Sequence, residues 1–277
     1  AIRSVADVAR KIVVVDSGST DETAEIARSL GAEVLVHPFV TQAKQFNWAL
    51  SQLPDETDWV LRLDADEVVS PELAKSLAET LPHQGSEVAG ASVQRRMAFL
   101  GRPIRWGGVF PVSIVRVLRL GKGRSEDRWM DEHILLDGKS IQLEGELLDD
   151  NVKPLSWWID KHNNYASREV VEILDFLKRT AGLNPPVGGA GMKRWIKTHI
   201  YGHLPGGFRA FAYFLYRYLF RLGFLDGKEG TAFHVLQGFW YRYLVDTKLH
   251  EVKTYLKRND VDIATAISDV LKVNINR

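Results

Sequence analysis

Apolar runs and helix-spaced segments alternate along the first half of the chain. Ile12-Val13-Val14-Val15 is a continuous β-branched run and reads as a buried strand, ending in Asp16-Ser17-Gly18-Ser19-Thr20-Asp21. Glu22 to Leu30 then places Ala24, Ile26, Ala27 and Leu30 at helical spacing, with Gly31 at the C-cap. Val34-Leu35-Val36 predicts a second strand, Gln42 to Leu53 a helix, and Trp59 to Leu63 a third strand. Ala89 to Gln94 and Ile114 to Leu118 predict later strands. Strands alternating with helices at this spacing imply an α/β domain with a mostly parallel sheet. Ala1 to Val8 has the look of a helix tail, whereas a doubly wound domain ordinarily opens on a strand. The expectation is therefore either a sheet that starts at Lys11 or one that lacks its first strand.

From Asn151 onward the pattern becomes helical. Trp157 to Leu177 predicts one long helix, Asn184 to Gly189 a break rich in Pro and Gly, and Lys193 to Lys257 a stretch dense in aromatic and basic residues. The chain thus divides into an α/β part, residues 1–150, and a helical part, residues 151–277. At 277 residues with 45% hydrophobic and 26% charged, it has material for a sizeable core. A net charge of +1 gives no global reason to expect nucleic acid, and the lack of cysteine excludes disulfides, thiolate zinc sites and cysteine nucleophiles. The N-terminus has no signal-peptide pattern, and no apolar run approaches the ~20 residues that span a bilayer.

Chemistry concentrates where strands end. The third run closes in Asp64-Ala65-Asp66-Glu67. On an extended chain, side chains alternate with period two, so Asp64 and Asp66 would point the same way and could hold a hard divalent cation against phosphate oxygens. The plainer reading makes them solvated turn residues, with Ser70 capping the helix that Pro71 begins. Asp16 to Asp21 likewise offers backbone N–H groups and an aspartate at a ligand-binding edge, or a capping box between Ser19 and Glu22. It is not a GxxxxGK[ST] loop, which disfavours a P-loop nucleotidase.

The run Ile12 to Thr23 followed by Leu61-Arg62-Leu63-Asp64-Ala65-Asp66-Glu67 resembles family 2 glycosyltransferases of GT-A fold. The resemblance continues through Trp129-Met130-Asp131-Glu132-His133, Lys161-His162-Asn163-Asn164-Tyr165-Ala166, Leu222 to Gly230 and Phe239-Trp240-Tyr241-Arg242. These blocks are similar to bacterial transferases of lipopolysaccharide-core and surface-polysaccharide assembly. The resemblance implies metal-dependent, inverting transfer of a hexose from a nucleotide-sugar, a UDP-sugar, to a lipid-linked saccharide acceptor. It implies Asp16 and Ser17 at the nucleotide, Asp64 at the ribose or metal, and Asp66 on Mg²⁺ or Mn²⁺ at the diphosphate, with Glu67 supporting the loop. Lys44, Gln45 and Asn47 occupy the place where relatives contact the donor. Glu132, or else Asp131, is the expected general base for the acceptor hydroxyl. His162 and Asn163 either close the site or cap and pack.

The tail adds a location. Phe208 to Leu222 is amphipathic, with Arg209, Arg217 and Arg221 expected on one helical face with Tyr213. Between Lys193 and Arg258 there are 12 Lys and Arg against 4 acids. This suits peripheral contact with an anionic membrane surface, on the cytoplasmic side of the inner membrane. The alternative is that the aromatic faces form a helical core or a homodimer interface. Two other classes of function stand beside the transferase: a nucleotide-sugar-binding or scaffold protein without turnover, and a phosphoaspartate receiver-like module.

Overall fold

Strand β1, Val13–Asp16, pairs in parallel with β2, Glu33–Val36, so that Val14 lies opposite Val34. Helix α2, Thr23–Ser29, connects them and ends at Gly31, whose φ of +82° is the left-handed conformation that glycine adopts without steric cost. These elements come from a computed structural model that describes residues 1–128, 132–150, 153–180 and 206–273. The chain forms two units: Ala1–Arg105 with Val109–Val152, and Trp106–Gly108 with Lys153–Arg277.

In the first unit, a short helix α1, Ile2–Val5, precedes β1, and α3, Gln42–Ser51, follows β2. A second sheet contains β3 (Trp59–Leu61), β4 (Glu67–Val69), β5 (Val88–Phe99), β6 (Arg102–Pro103), β7 (Val112–Arg119) and β10 (Lys139–Asp150). Its order is β3-β7-β5-β10-β4, with β6 against β5, and a separate ribbon pairs β8 (Gly123–Ser125) with β9 (Ile134–Leu136). The architecture is α/β as expected, but the sheet is mixed rather than mostly parallel. Among the described ladders, β1–β2 and β5–β10 are parallel and the others antiparallel. The reason is connectivity: between β5 and β7 the chain has room for β6 and a loop but no crossover helix, so it returns antiparallel.

The core of this unit lies between the sheet and α4, Pro71–Thr80. Leu73 and Leu77 of α4 meet Val69, Val93, Val117 and Leu147, and α1 contributes Val5. Burying a leucine such as Leu73, fully enclosed, is worth roughly 1.5–3 kcal/mol. Ser70 caps α4, its hydroxyl accepting from the N–H of Leu73 at 3.2 Å and from that of Glu146 at 3.2 Å. β10 bulges between Gln142 and Glu146 to let α4 approach. There Gly145 has φ +88°, and a Cβ would lie 2.2 Å from the Leu73 nitrogen, so no side chain fits.

The second unit is helical. Helix α5, Leu155–Thr180, packs on the helix Tyr241–Asn259, burying Trp158, Val170 and Leu174 with Tyr241, Val245 and Val252. The Tyr241 hydroxyl donates to Glu169 at 2.7 Å and Arg242 pairs with the same carboxylate at 3.0 Å. His162 stacks on Trp158 at 3.5 Å and packs edge-on to Tyr241. Burial lowers its pKa to about 4, which keeps it a neutral ring. The expected break at Asn184 to Gly189 lies outside the described residues.

The arginine face expected along Phe208 to Leu222 does not form. The α-helix Gly206–Leu215 passes into a π-helical stretch, Tyr216–Phe220, whose wider turn shifts the register. Arg217 is thereby buried, 5% exposed, and donates to the Gly107 carbonyl at 3.1 Å and to Gln237. Arg209 pairs with Asp246, and Arg221 remains exposed. Among the described residues, no helix is long and apolar enough to cross a membrane.

Candidate active site

The chain leaves β3 at Leu61 and does not run extended through the acids. The Glu67 N–H donates to the Asp64 carbonyl at 3.0 Å, which closes a turn over Ala65 and Asp66. The period-two argument for Asp64 and Asp66 therefore fails, because it holds only for an extended chain. The turn is locked from within, since the Asp64 N–H donates to Glu67 Oε2 at 2.9 Å.

Beneath the turn lies Arg116 of β7, 6% exposed, beside Glu67, 1% exposed. Arg116 pairs with Glu67 and donates from Nη2 to Asp64 Oδ2 at 3.0 Å. Burial alone would lower the pKa of Arg116, but Asp64 and Glu67 outweigh it and raise it, so the guanidinium stays charged. Burial pushes the Glu67 carboxyl upward against the pull of Arg116. Glu67 thus supports the turn, as expected.

A second guanidinium joins distant parts of the sequence. Arg62 Nη2 donates to Glu132 Oε1 at 2.9 Å, while its Nε lies 3.8 Å from Asp64 Oδ1. Its carbon sits 5.4 Å from the centre of the Phe46 ring. The expected acceptor-side acid, Glu132, and the donor-side acid, Asp64, therefore share one cation although 68 positions separate them. Nearby, Arg128 contacts Glu126 and Arg124 contacts Asp137. Asp131 and Trp129 lie outside the described residues, and His133 is exposed.

The Asp16 loop is built differently from its expected capping box. Asp16 Oδ2 accepts from the N–H groups of Gly18 and Ser19 at 2.9 Å each, and Oδ1 accepts from the Ser19 hydroxyl. These bonds, the Ser19 hydroxyl first, hold Asp16 below the usual carboxylate range. Ser19 is thus committed to Asp16 rather than to the helix, and α2 starts with Thr23 N–H on Asp21 at 3.1 Å. Ser17 accepts from Gln45 Nε2 at 3.0 Å, and Gln45 Oε1 contacts His37 at 2.8 Å, with His37 stacked on Trp48.

Lys44 and Asn47 have separate positions on α3. Lys44 is exposed. Asn47 is clamped to β8: its Nδ2 donates to the Ser125 carbonyl at 3.0 Å and its Oδ1 accepts from the Ser125 N–H at 2.8 Å. Both ends of the amide are used in holding α3 to β8, so the geometry favours a structural task over the expected donor contact.

Among the described residues, no group of three or more His, Asp or Glu is gathered to hold a metal ion. An all-protein cation cage is therefore not what these residues supply. The donor chemistry would suit Mg²⁺ or Mn²⁺ bound through one or two carboxylates together with substrate phosphate. Asp66 lies half-buried on the turn, and the Asp64 oxygens face Arg116 and Arg62. Sequence reasoning passed over Arg62 and Arg116. The signal for both was a lone arginine inside an apolar strand run, a charge that demands a buried partner.

Residues 1–107 match the family model for glycosyl transferase family 2. An uncharacterized glycosyltransferase of Rickettsia prowazekii is 45% identical over 73 residues, 26% of this chain and 24% of the relative. One from Rickettsia bellii is 40% identical over 87 residues, 31% and 29% of the two chains. The lipopolysaccharide core biosynthesis glycosyltransferase LpsC of Rhizobium meliloti is 30% identical over 179 residues, 61% of this chain and 64% of LpsC. The matches to the rickettsial relatives span only about a quarter of those proteins' length. Residues 1–107 thus belong to glycosyl transferase family 2, whose fold is GT-A.

Proposed function

We propose that the chain is an inverting, metal-dependent hexosyltransferase. It moves a sugar from a nucleotide-sugar, a UDP-sugar, to a lipid-linked saccharide in lipopolysaccharide or surface-polysaccharide synthesis. The observation that carries this reading is the Asp64–Arg62–Glu132 arrangement in a family 2 domain. It sets a donor-side turn and an acceptor-side carboxylate around one guanidinium. The relative named for lipopolysaccharide core biosynthesis supports the acceptor class.

In this reading Asp16 and Ser17 receive the nucleoside and Asp66 holds Mg²⁺ or Mn²⁺ at the diphosphate. When bound, the cation supplies neutralisation of the charge that grows on the leaving diphosphate. Asp64, held by Arg116, faces the ribose and keeps the turn in shape. Glu132 takes the proton of the acceptor hydroxyl, with Asp131 as the alternative base. Lys44 is free on its helix face to meet donor phosphate. The enzyme works at the inner face of the cytoplasmic membrane, where its lipid-linked acceptor resides.

The test is a nucleotide-sugar panel with Mn²⁺, read first as thermal stabilisation and then as product release. A ligand that binds the native state raises the melting temperature. Asp66→Ala should abolish transfer with the fold intact. Transfer retained in that variant after chelation would remove the metal from the mechanism. Stabilisation by a nucleotide-sugar with no product from any acceptor would leave a binding protein instead.

A further inference from the structure

The helical unit carries an apolar ridge that stays about half or more exposed, with Phe211 also meeting Phe214 and Phe239 at its inner edge. Phe208 is 67% exposed, Phe211 48%, Tyr216 50%, Leu219 49% and Phe220 78%. Successive spacings of three, five, three and one residues group them on one broad side of the helix Gly206–Leu215 and its π-helical continuation. The π turn makes the ridge by directing Arg217 inward to Gly107 and Gln237, while Tyr216, Leu219 and Phe220 stay outside. Phe224 and Leu225, 43% and 46% exposed, extend the apolar character past the helix end.

We infer that this ridge is a membrane-inserting surface, and that its occupant is the headgroup–acyl boundary of an anionic bilayer. The inference deepens the membrane side of the proposed function. It assigns the contact to inserted rings rather than to the basic stripe that the sequence suggested.

Three observations select a lipid surface. The exposed charges Arg221 and Lys228 sit at the end of the ridge and are cationic, while the nearby Asp226 is 3% exposed and receives the Trp106 N–H at 2.9 Å. The outward surface is therefore complementary to anionic headgroups. Tyr243, 47% exposed, adds a ring with a polar tip, the amphipathic type that suits the interface. The helix is also too short to span, so its apolar face lies in the plane of the membrane.

The experiment is flotation of the full chain with vesicles of phosphatidylcholine alone or with phosphatidylglycerol, without donor or acceptor. We expect binding to anionic vesicles, and a loss of at least about a hundredfold in the double variant Phe208→Ser/Phe220→Ser, since each ring removed from lipid forfeits a tenfold or greater factor. Arg221→Glu should weaken binding only by several-fold, and raised salt should reduce binding without abolishing it. Circular dichroism and thermal melting establish that the serine variants are folded. Phe220→Trp keeps the ridge apolar, and its fluorescence should shift to the blue on vesicles. Unchanged vesicle binding in the folded serine variant overturns the inference. So does a Phe220→Trp signal that ignores lipid. A chain that ignores vesicles and dimerises through the ridge, with the serine variant monomeric, replaces lipid with a second copy. Transfer assayed with a soluble acceptor fragment reports on the catalytic reading separately, so either can fail alone.

Discussion

Arg116 and Arg217 are a natural pair to compare, one from each unit. Both are nearly inaccessible, 6% and 5% exposed. Arg116 faces two carboxylates, Asp64 and Glu67, which keep it charged despite burial. Arg217 faces neutral groups: the Gly107 carbonyl, the Gln237 amide and the rings of Tyr213 and Phe233. Burial lowers its pKa, though an arginine remains protonated. Equal burial thus conceals different duties. The first arginine organises an anionic turn at the site, and the second fills a polar slot in a helical core.

The largest expected effect lies on the charged side. Glu132→Gln keeps the shape of the Arg62 contact but removes the proposed base, so steady-state turnover should fall by about 10²–10⁴ with donor binding unchanged. A loss of donor affinity as large as the loss of turnover would show that Glu132 serves the turn rather than the acceptor. Next in size is Arg116→Met, which leaves Glu67 buried without its cation. Urea denaturation should report a loss of roughly 3–5 kcal/mol. Arg116→Met combined with Glu67→Gln should recover much of it, as no uncompensated charge then remains.

The helical side should respond to pH. His234 is wholly buried between Gly107 and Gly223, with Asp226 at 3.8 Å, and burial, with Arg217 nearby, lowers its pKa to about 4. His162 is lowered likewise to about 4. A histidine held neutral contributes stability that is whole above its unfolded pKa. That stability is lost as pH falls from about 6.5 toward 4, because the unfolded chain takes up the proton first. Thermal melts should therefore drop over that window, and His234→Asn should flatten part of the slope. The smallest effect belongs to Arg217→Met. Its neutral partners lose hydrogen bonds but gain no orphaned charge, so about 1–3 kcal/mol is expected. A cost equal to that of Arg116→Met would break the comparison.

The first crossover was legible because β-branched residues, a capping glycine and helical spacing all agree between Ile12 and Val36. β10 was not, since Lys139–Asp150 mixes exposed and buried positions across a bulge and shows no clean alternation. In the site, acids at strand ends were visible from their position. Their arginine partners were hidden in the apolar runs Trp59–Leu63 and Ile114–Leu118, where a strand pattern tolerates one misfit. The exposed ridge could be read as amphipathic, but its register could not, because no sequence spacing announces a π turn.

The Asn47 clamp has a mechanical consequence. Ser125 lies at the mouth of the β8–β9 hairpin, where the Glu126 N–H meets the His133 carbonyl at 2.8 Å, and the loop beyond it carries Glu132. Two residues earlier on α3, Gln45 touches Ser17 in the Asp16 loop. Helix α3 is therefore a strut with two hydrogen-bonded joints in its middle, linking the loop after β1 to the hairpin that presents Glu132. A displacement at one joint is delivered to the other, so the loops take their positions from each other as well as from the sheets beneath them.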